Sequence, residues 1–164
     1  MSNVSIIGAH NTQFGAFVKK DKATGLMTDT KTYYDLLIEA GRGAIADAGL
    51  EAKDIDAVFV GSCSPGSFVN QEHVAPIAAE IHPDLRFKPM TRCECACASG
   101  SVALYAALYA VEAGRAKRVL DPASRTYQRT SKQQAAAPHA SQAVSTTRAS
   151  RCTSSRKRRS NVAA

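Results

Sequence analysis

The chain has 164 residues, 45% of them hydrophobic, with a formal net charge of +7, so length and composition allow one ordinary globular domain. The charge is not evenly spread: residues 1–120 hold 12 Lys and Arg against 13 Asp and Glu, whereas residues 121–164 hold nine basic residues against the single acid Asp121. No apolar run approaches the roughly 20 residues that span a bilayer, and five cysteines without a disulfide-scaffold composition favour a reducing, intracellular compartment.

Val4–Gly8 is a short apolar run ending in glycine, which predicts a buried first strand. The N-terminus enters it at once, with no basic segment or cleavage site of a secretory signal. Residues 15–29 read as a loop. Thr32-Tyr33-Tyr34-Asp35 is a capping pattern that opens a helix, with Leu37, Gly41, Ala44, Ile45 and Ala48 on one face and Asp35, Glu39 and Arg42 opposite. Gly49 closes it, because glycine takes the left-handed conformation without steric penalty.

A second strand is predicted over Ile55–Gly61, a loop through Ser64-Pro65-Gly66, and a short helix over Val74–Ile81 stopped by Pro83. Phe87–Cys95 reads as extended. Ser99–Ala113 reads as a second long helix ended by Gly114, and Arg118-Val119-Leu120 as the start of a further strand. Within that helix Val102–Val111 carries no charge on any face, which predicts burial all round. Strands alternating with helices imply a parallel or mixed sheet covered by helices.

Beyond Leu120 the composition changes abruptly. Pro122 lacks an amide donor and cannot continue a central strand. Residues 121–164 contain no Leu, Ile, Phe, Met or Trp, too little apolar area to offset chain entropy, so a disordered basic tail is expected there. The change at one point has the look of a shifted reading frame or an alternative terminal exon.

The chemistry concentrates at Cys97-Ala98-Ser99-Gly100, an extended segment turning sharply into the apolar helix. A thiol is a strong nucleophile only when ionised, and the amides and dipole at a helix N-terminus favour the thiolate. The same amides can support negative charge on an acyl carbonyl oxygen, as a transient thioester requires. Four residues alone would fit a buried structural cysteine better.

The wider pattern favours the chemical reading. Cys97-Ala98-Ser99-Gly100, together with Ile6-Ile7-Gly8-Ala9, Thr12-Gln13-Phe14-Gly15, Asp54–Gly61 and Ala113-Gly114-Arg115-Ala116, resembles in order the N-terminal half of thiolases over residues 3–120. The likeness leans to the sterol-carrier-protein-type branch. It implies an α/β half-domain with a mixed, mostly parallel sheet covered by helices around a buried central helix, truncated near residue 120. It implies Cys97 as the acyl-accepting nucleophile of an acyl-CoA C-acyltransferase of lipid metabolism, with Ser99 and Gly100 as candidate substrate-binding positions. It also implies acyl-CoA or 3-ketoacyl-CoA substrates, no resident cofactor, and a homodimer contact through residues near Phe87–Cys95. A ketoacyl synthase of the same superfamily uses a similar turn, although the Ser99-Gly100 pair leans to thiolase.

The family's remaining machinery cannot be placed in this sequence: a Gly-His-Pro-type histidine, a second cysteine in a Cys-x-Gly segment, and an Asn- or His-containing motif. Cys152 lacks the glycines. Full thiolytic turnover is therefore not expected, and an inactive fragment serving as a dimerisation partner is the non-enzymatic alternative. Cys93, Cys95 and Cys97 lack the second ligand pair of a zinc site, and core packing along a strand is the expected account of the first two. His10, His73 and His82 read as surface or capping residues. Arg156–Arg159 is a basic run without interleaved aromatics, so no nucleic-acid function is expected.

Overall fold

A computed structural model describes residues 3–15, 17–122 and 144–150. Among them, strand β1 (Asn3–His10) is followed by a small hairpin of β2 (Val18–Lys20) and β3 (Met27–Asp29), within the stretch predicted as loop. Helix α1 (Tyr33–Asp47) starts where the capping pattern predicts. The Thr32 hydroxyl accepts from the Asp35 amide, and the Asp35 carboxylate accepts from the Thr32 amide at 2.8 Å. Both Gly49 and Gly114 adopt positive φ just past their helices, as helix-terminating glycines do.

Strand β4 (Ala57–Gly61) leads through the short helix α2 (Pro65–Val69) and two 3-10 turns, Ala75–Glu80 and Pro83–Leu85, to strand β5 (Met90–Cys93). A further 3-10 turn, Ala96–Ala98, runs into helix α3 (Ser99–Glu112), and strand β6 (Arg118–Asp121) follows. Strand β7 (Val144–Ser150) completes a five-stranded sheet in the order β1-β7-β6-β4-β5.

The β5–β4 and β4–β6 pairs are parallel, whereas β7 is antiparallel to both β6 and β1. Composition predicts no regular structure past Leu120, and β7 corrects that for residues 144–150. Strands β1 and β6 do not pair directly, so their facing backbone donors and acceptors need an intervening strand, and β7 supplies it. Its Val-Ser-Thr-Thr start is rich in β-branched residues suited to an extended backbone. Residues 123–143 and 151–164 of the expected disordered tail lie outside the described residues. Pro122 does end β6, yet its carbonyl still accepts from the Gly61 amide at 3.1 Å.

Alternation along the strands builds two cores. On one face Val58, Val60 and Leu120 pack with Leu37, Ala44, Ile77 and Ile81 of α1 and the 3-10 turns. On the other, Ala57, Phe59 and Val119 pack with Ala107 and Val111 of α3, joined by Val4 of β1. The sheet is thus the middle of three layers.

Helix α3 is not buried all round. Ala103, Ala107 and Val111 face the sheet, but Val102, Tyr105 and Tyr109 are 36%, 57% and 61% exposed, with the two tyrosine rings stacked. An uncharged sequence shows that a helix can be buried. It does not say how many layers are present to bury it. No helix among the described residues is long and apolar enough to cross a membrane.

Candidate functional site

Three parallel strands finish at the same end of the sheet, where Gly61-Ser62, Cys93 and Asp121 lie, and Gly61 meets the start of the helix that follows Cys97. The chain leaves β5 at Cys93, passes through Glu94 and Cys95, and reverses at Ala96, whose φ of +44° lies in the left-handed region. A non-glycine residue held there stores strain of about 1–3 kcal/mol, which surrounding bonds must offset. The Ser99 hydroxyl provides two of them, accepting from the Cys95 amide at 2.9 Å and donating to the Ala96 carbonyl at 2.8 Å. The Ala98 amide donates to the Cys95 carbonyl at 2.8 Å. Ser99 itself is buried.

Cys97 is the central residue of this turn and is exposed. Helix α3 begins two residues later, with Ala98 as its N-cap and no side chain accepting from its first amides. The positive end of a 14-residue helix therefore lies beside the thiol, and its first amide, that of Ser99, donates to the Ala96 carbonyl.

Gly100 shows why the helix can start here. A Cβ added to Gly61 would lie 2.7 Å from Gly100 Cα and 2.8 Å from the Ser99 carbonyl oxygen. The first turn of α3 thus rests directly on the backbone at the end of β4. The backbone that Gly100 approaches is that of β4, within the same chain. Sequence reasoning missed Gly61, since a strand glycine carries no sign of its partner.

Glu94 was also missed. Its carboxylate accepts from the Ala96 amide at 2.6 Å, and that bond chiefly holds it below the usual carboxylate range. Burial works against it, while the Ser64 amide, Arg92 and the Cys63 thiol each add a smaller lowering. A negative charge is therefore fixed one turn before Cys97.

Asp121 is the other residue without a warning in the sequence. It is 4% exposed, its Oδ1 has no hydrogen-bond partner, and burial pushes its carboxyl up to about 8. Burial, and then Asp121, also pushes the Cys93 thiol up. Core packing accounts for Cys93 only in part and not for Cys95: Cys93 is half-buried at the end of β5, and Cys95 is exposed in the turn. The strand ends at Cys93, so the alternation expected to bury Cys95 does not reach it.

Two of the histidines are engaged elsewhere. His10 lies over Gly43 of α1, and His82 caps the 3-10 turn at Pro83, its Nδ1 accepting from the Asp84 amide at 3.2 Å. Among the described residues no hydrogen bond joins a histidine to Cys97, and no group of three His, Cys, Asp or Glu side chains is placed to hold a metal ion.

A thiol on a turn at the N-terminus of a helix that crosses a mixed sheet has close parallels. The model of the thiolase N-terminal domain matches residues 4–156. The chain belongs to the thiolase family. An acetyl-CoA acetyltransferase of Methanothermobacter thermautotrophicus is 41% identical over 114 residues, which cover 70% of this chain and 27% of that relative. This thiolase-family chain therefore spans about a quarter of the length of the curated relative. Among solved structures, the tetronic acid condensing enzyme AbyA1 superposes with a TM-score of 0.70 at 16% identity, over 92% of this chain and 54% of that one. The 3-oxoacyl-[acyl-carrier-protein] synthase III of Aquifex aeolicus VF5 superposes with a TM-score of 0.62 at 15% identity, over 90% and 54%. These two likenesses concern the fold.

Proposed function

We propose that this thiolase-family chain accepts an acyl group from a coenzyme A thioester onto Cys97. The observation that carries the reading is an exposed thiol held on a strained, hydrogen-bonded turn at the N-terminus of α3. In the step proposed, the Cys97 sulfur attacks the thioester carbonyl carbon. A new carbon–sulfur bond forms, the bond to coenzyme A breaks, and the departing coenzyme A thiolate takes up the proton lost by Cys97. The positive end of the α3 dipole stabilises the oxyanion that forms on the way. Ser99 contributes by shaping the turn, since its hydroxyl is already committed there, and Gly100 by letting the helix seat on β4. Coenzyme A thioesters are substrates here, and no resident cofactor takes part.

Transfer onward to a second acceptor needs a base to ionise the incoming group. With no histidine bonded to Cys97 among the described residues, acylation without sustained thiolytic turnover is the expected behaviour. Mass spectrometry of the chain after exposure to acetyl-CoA tests this directly. An acetyl group on the Cys97 peptide is the expected result, and its absence, or equal labelling of Cys95, defeats the proposal. Robust acetyl-CoA release from a 3-ketoacyl-CoA plus coenzyme A would defeat the turnover part alone.

The same fold also serves a 3-oxoacyl synthase, so acyl-carrier-protein thioesters form the second substrate class to offer. A chain that no thioester labels is the inactive-fragment alternative, serving at most as a dimerisation partner. For that role the edge strand β5 is suited, being last in the sheet with one side unpaired among the described residues and with the fully exposed Phe87 just before it.

A further inference from the structure

Four of the five cysteines gather at the Cys97 end of the sheet, and all four are free thiols. Cys63 lies two residues past β4, Cys93 ends β5, and Cys95 and Cys97 share the turn. Acyl transfer uses only Cys97. The other three thiols differ in what holds them.

Cys63 is engaged, meeting the Ser64 hydroxyl at 3.6 Å and the Glu94 carboxylate. Cys93 is half-buried, and burial pushes its thiol up. Cys95 is exposed, as Cys97 is. The backbone of Cys95 is fixed at both ends: its amide donates to the Ser99 hydroxyl at 2.9 Å, and its carbonyl accepts from the Ala98 amide at 2.8 Å. Two residues of fully extended chain span at most about 7 Å between Cα atoms. The turn closed by the Ala98 amide brings Cys95 and Cys97 closer than that, into the span of about 4.4–6.8 Å that disulfides bridge.

We propose that Cys95 and Cys97 form a reversible disulfide when the chain meets a hydroperoxide, which withdraws the acyl-accepting sulfur and shields it from further oxidation. Cys97, beside the positive end of α3, attacks first. Its sulfur bonds to one peroxide oxygen, the oxygen–oxygen bond breaks, and the departing oxygen leaves protonated. Cys97 is then a sulfenic acid. The Cys95 sulfur attacks the Cys97 sulfur, the sulfur–oxygen bond breaks, and hydroxide departs as water with the proton from Cys95. The two thiols together lose two electrons and two protons, and the peroxide is reduced. A dithiol reverses the bond by exchange. Reversal is favoured because the bridge is exposed and closes over Ala96, whose backbone is already left-handed; strained or exposed disulfides are the easily reduced ones. The oxidation uses the sulfur of the proposed acyl step but not the transfer, so the two stand or fall separately.

The experiment treats the reduced full chain with hydrogen peroxide, blocks remaining thiols with N-ethylmaleimide, and digests with trypsin for mass spectrometry. Cleavage after Arg92 and Arg115 puts Cys93, Cys95 and Cys97 on one peptide and leaves Cys63 on another. The expected result is that this peptide lacks two hydrogens and carries a single maleimide, on Cys93. Dithiothreitol before blocking should restore all of its thiols to maleimide. Cys95→Ser should lose the bond and, at excess peroxide, accumulate several times more Cys97 sulfinic acid than the wild type. Cys63→Ser and Cys93→Ser should keep the bond. A wild type whose Cys97 stays reduced, or becomes sulfinic acid while Cys95 remains free, overturns the proposal without reference to any variant. So does a bond from Cys97 to any other cysteine, a bond between two chains, or a bond that survives in Cys95→Ser. No thioester is present in this test, so a failure of acetyl labelling leaves its outcome untouched.

Discussion

Gly61 at the end of β4 and Gly100 in the first turn of α3 meet backbone to backbone, and that contact fixes the height of the Cys97 turn above the sheet. An added methyl at Gly61 would meet Gly100 Cα at 2.7 Å and Gly100 N at 2.9 Å. Those are backbone atoms, which cannot swing aside as a flexible side chain would. Gly61→Ala should therefore lift the helix start and cost about 1–3 kcal/mol, the usual range for overpacking. Denaturant unfolding measures the stability, and alkylation of Cys97 measures the turn. The expected outcome is a lower midpoint together with an altered Cys97 alkylation rate; an unchanged rate would show that the turn is set independently of β4.

Ser99 holds the same turn from within. Its hydroxyl satisfies the Cys95 amide and the Ala96 carbonyl together, which balances the left-handed backbone at Ala96. Ser99→Ala would leave both groups without that partner, a loss of about 0.5–1.5 kcal/mol for each bond, since Cys95 and Ala96 are exposed and water can replace it in part. Because the loss falls on the strained segment, acylation of Cys97 should fall more than global stability does. Ser99→Thr keeps the hydroxyl and should restore part of the labelling. Equal effects of Ala and Thr would place the role of Ser99 elsewhere.

Cys97 itself has little structural role, being exposed and making no side-chain hydrogen bond among the described residues. Cys97→Ser should shift unfolding by no more than about 0.5 kcal/mol, as exposed substitutions usually do. It should abolish acetyl labelling while leaving Cys95, Cys63 and Cys93 available to general thiol reagents. Retained acetyl labelling in this variant would assign the acceptor to another thiol.

How far the sequence foretells the fold depends on where each signal is written. Thr32 and Asp35 lie three residues apart and bond to each other, so the start of α1 is legible at sight. The Cys97 turn is legible for the same reason, with Ser99 bonding back only four residues. Strand β7 is not, because its place depends on backbone pairing with β1 and β6, partners far away in the chain. The outer face of α3 is not legible either: apolarity is a local property, and the number of packed layers is not. The pairing of Gly61 with Gly100 spans 39 residues and leaves no mark at either position.

Asp121 makes the last prediction, which concerns pH. Its folded-state carboxyl titrates at about 8, raised by burial, whereas an unfolded aspartate titrates near about 3.9. Between those values the folded chain keeps the proton and the unfolded chain has released it, so the unfolded state binds fewer protons and stability falls as pH rises. The contribution of this group is most favourable below about pH 4, declines up to about pH 8, and is constant above that. Asp121→Asn removes the titration while keeping the shape. The midpoint of urea unfolding, followed from pH 5 to pH 8, should decline in the wild type and decline distinctly less in the variant, the two curves separating most at the alkaline end. Parallel curves would mean that the carboxyl at the end of β6 is ionised, and therefore solvated, in the folded chain.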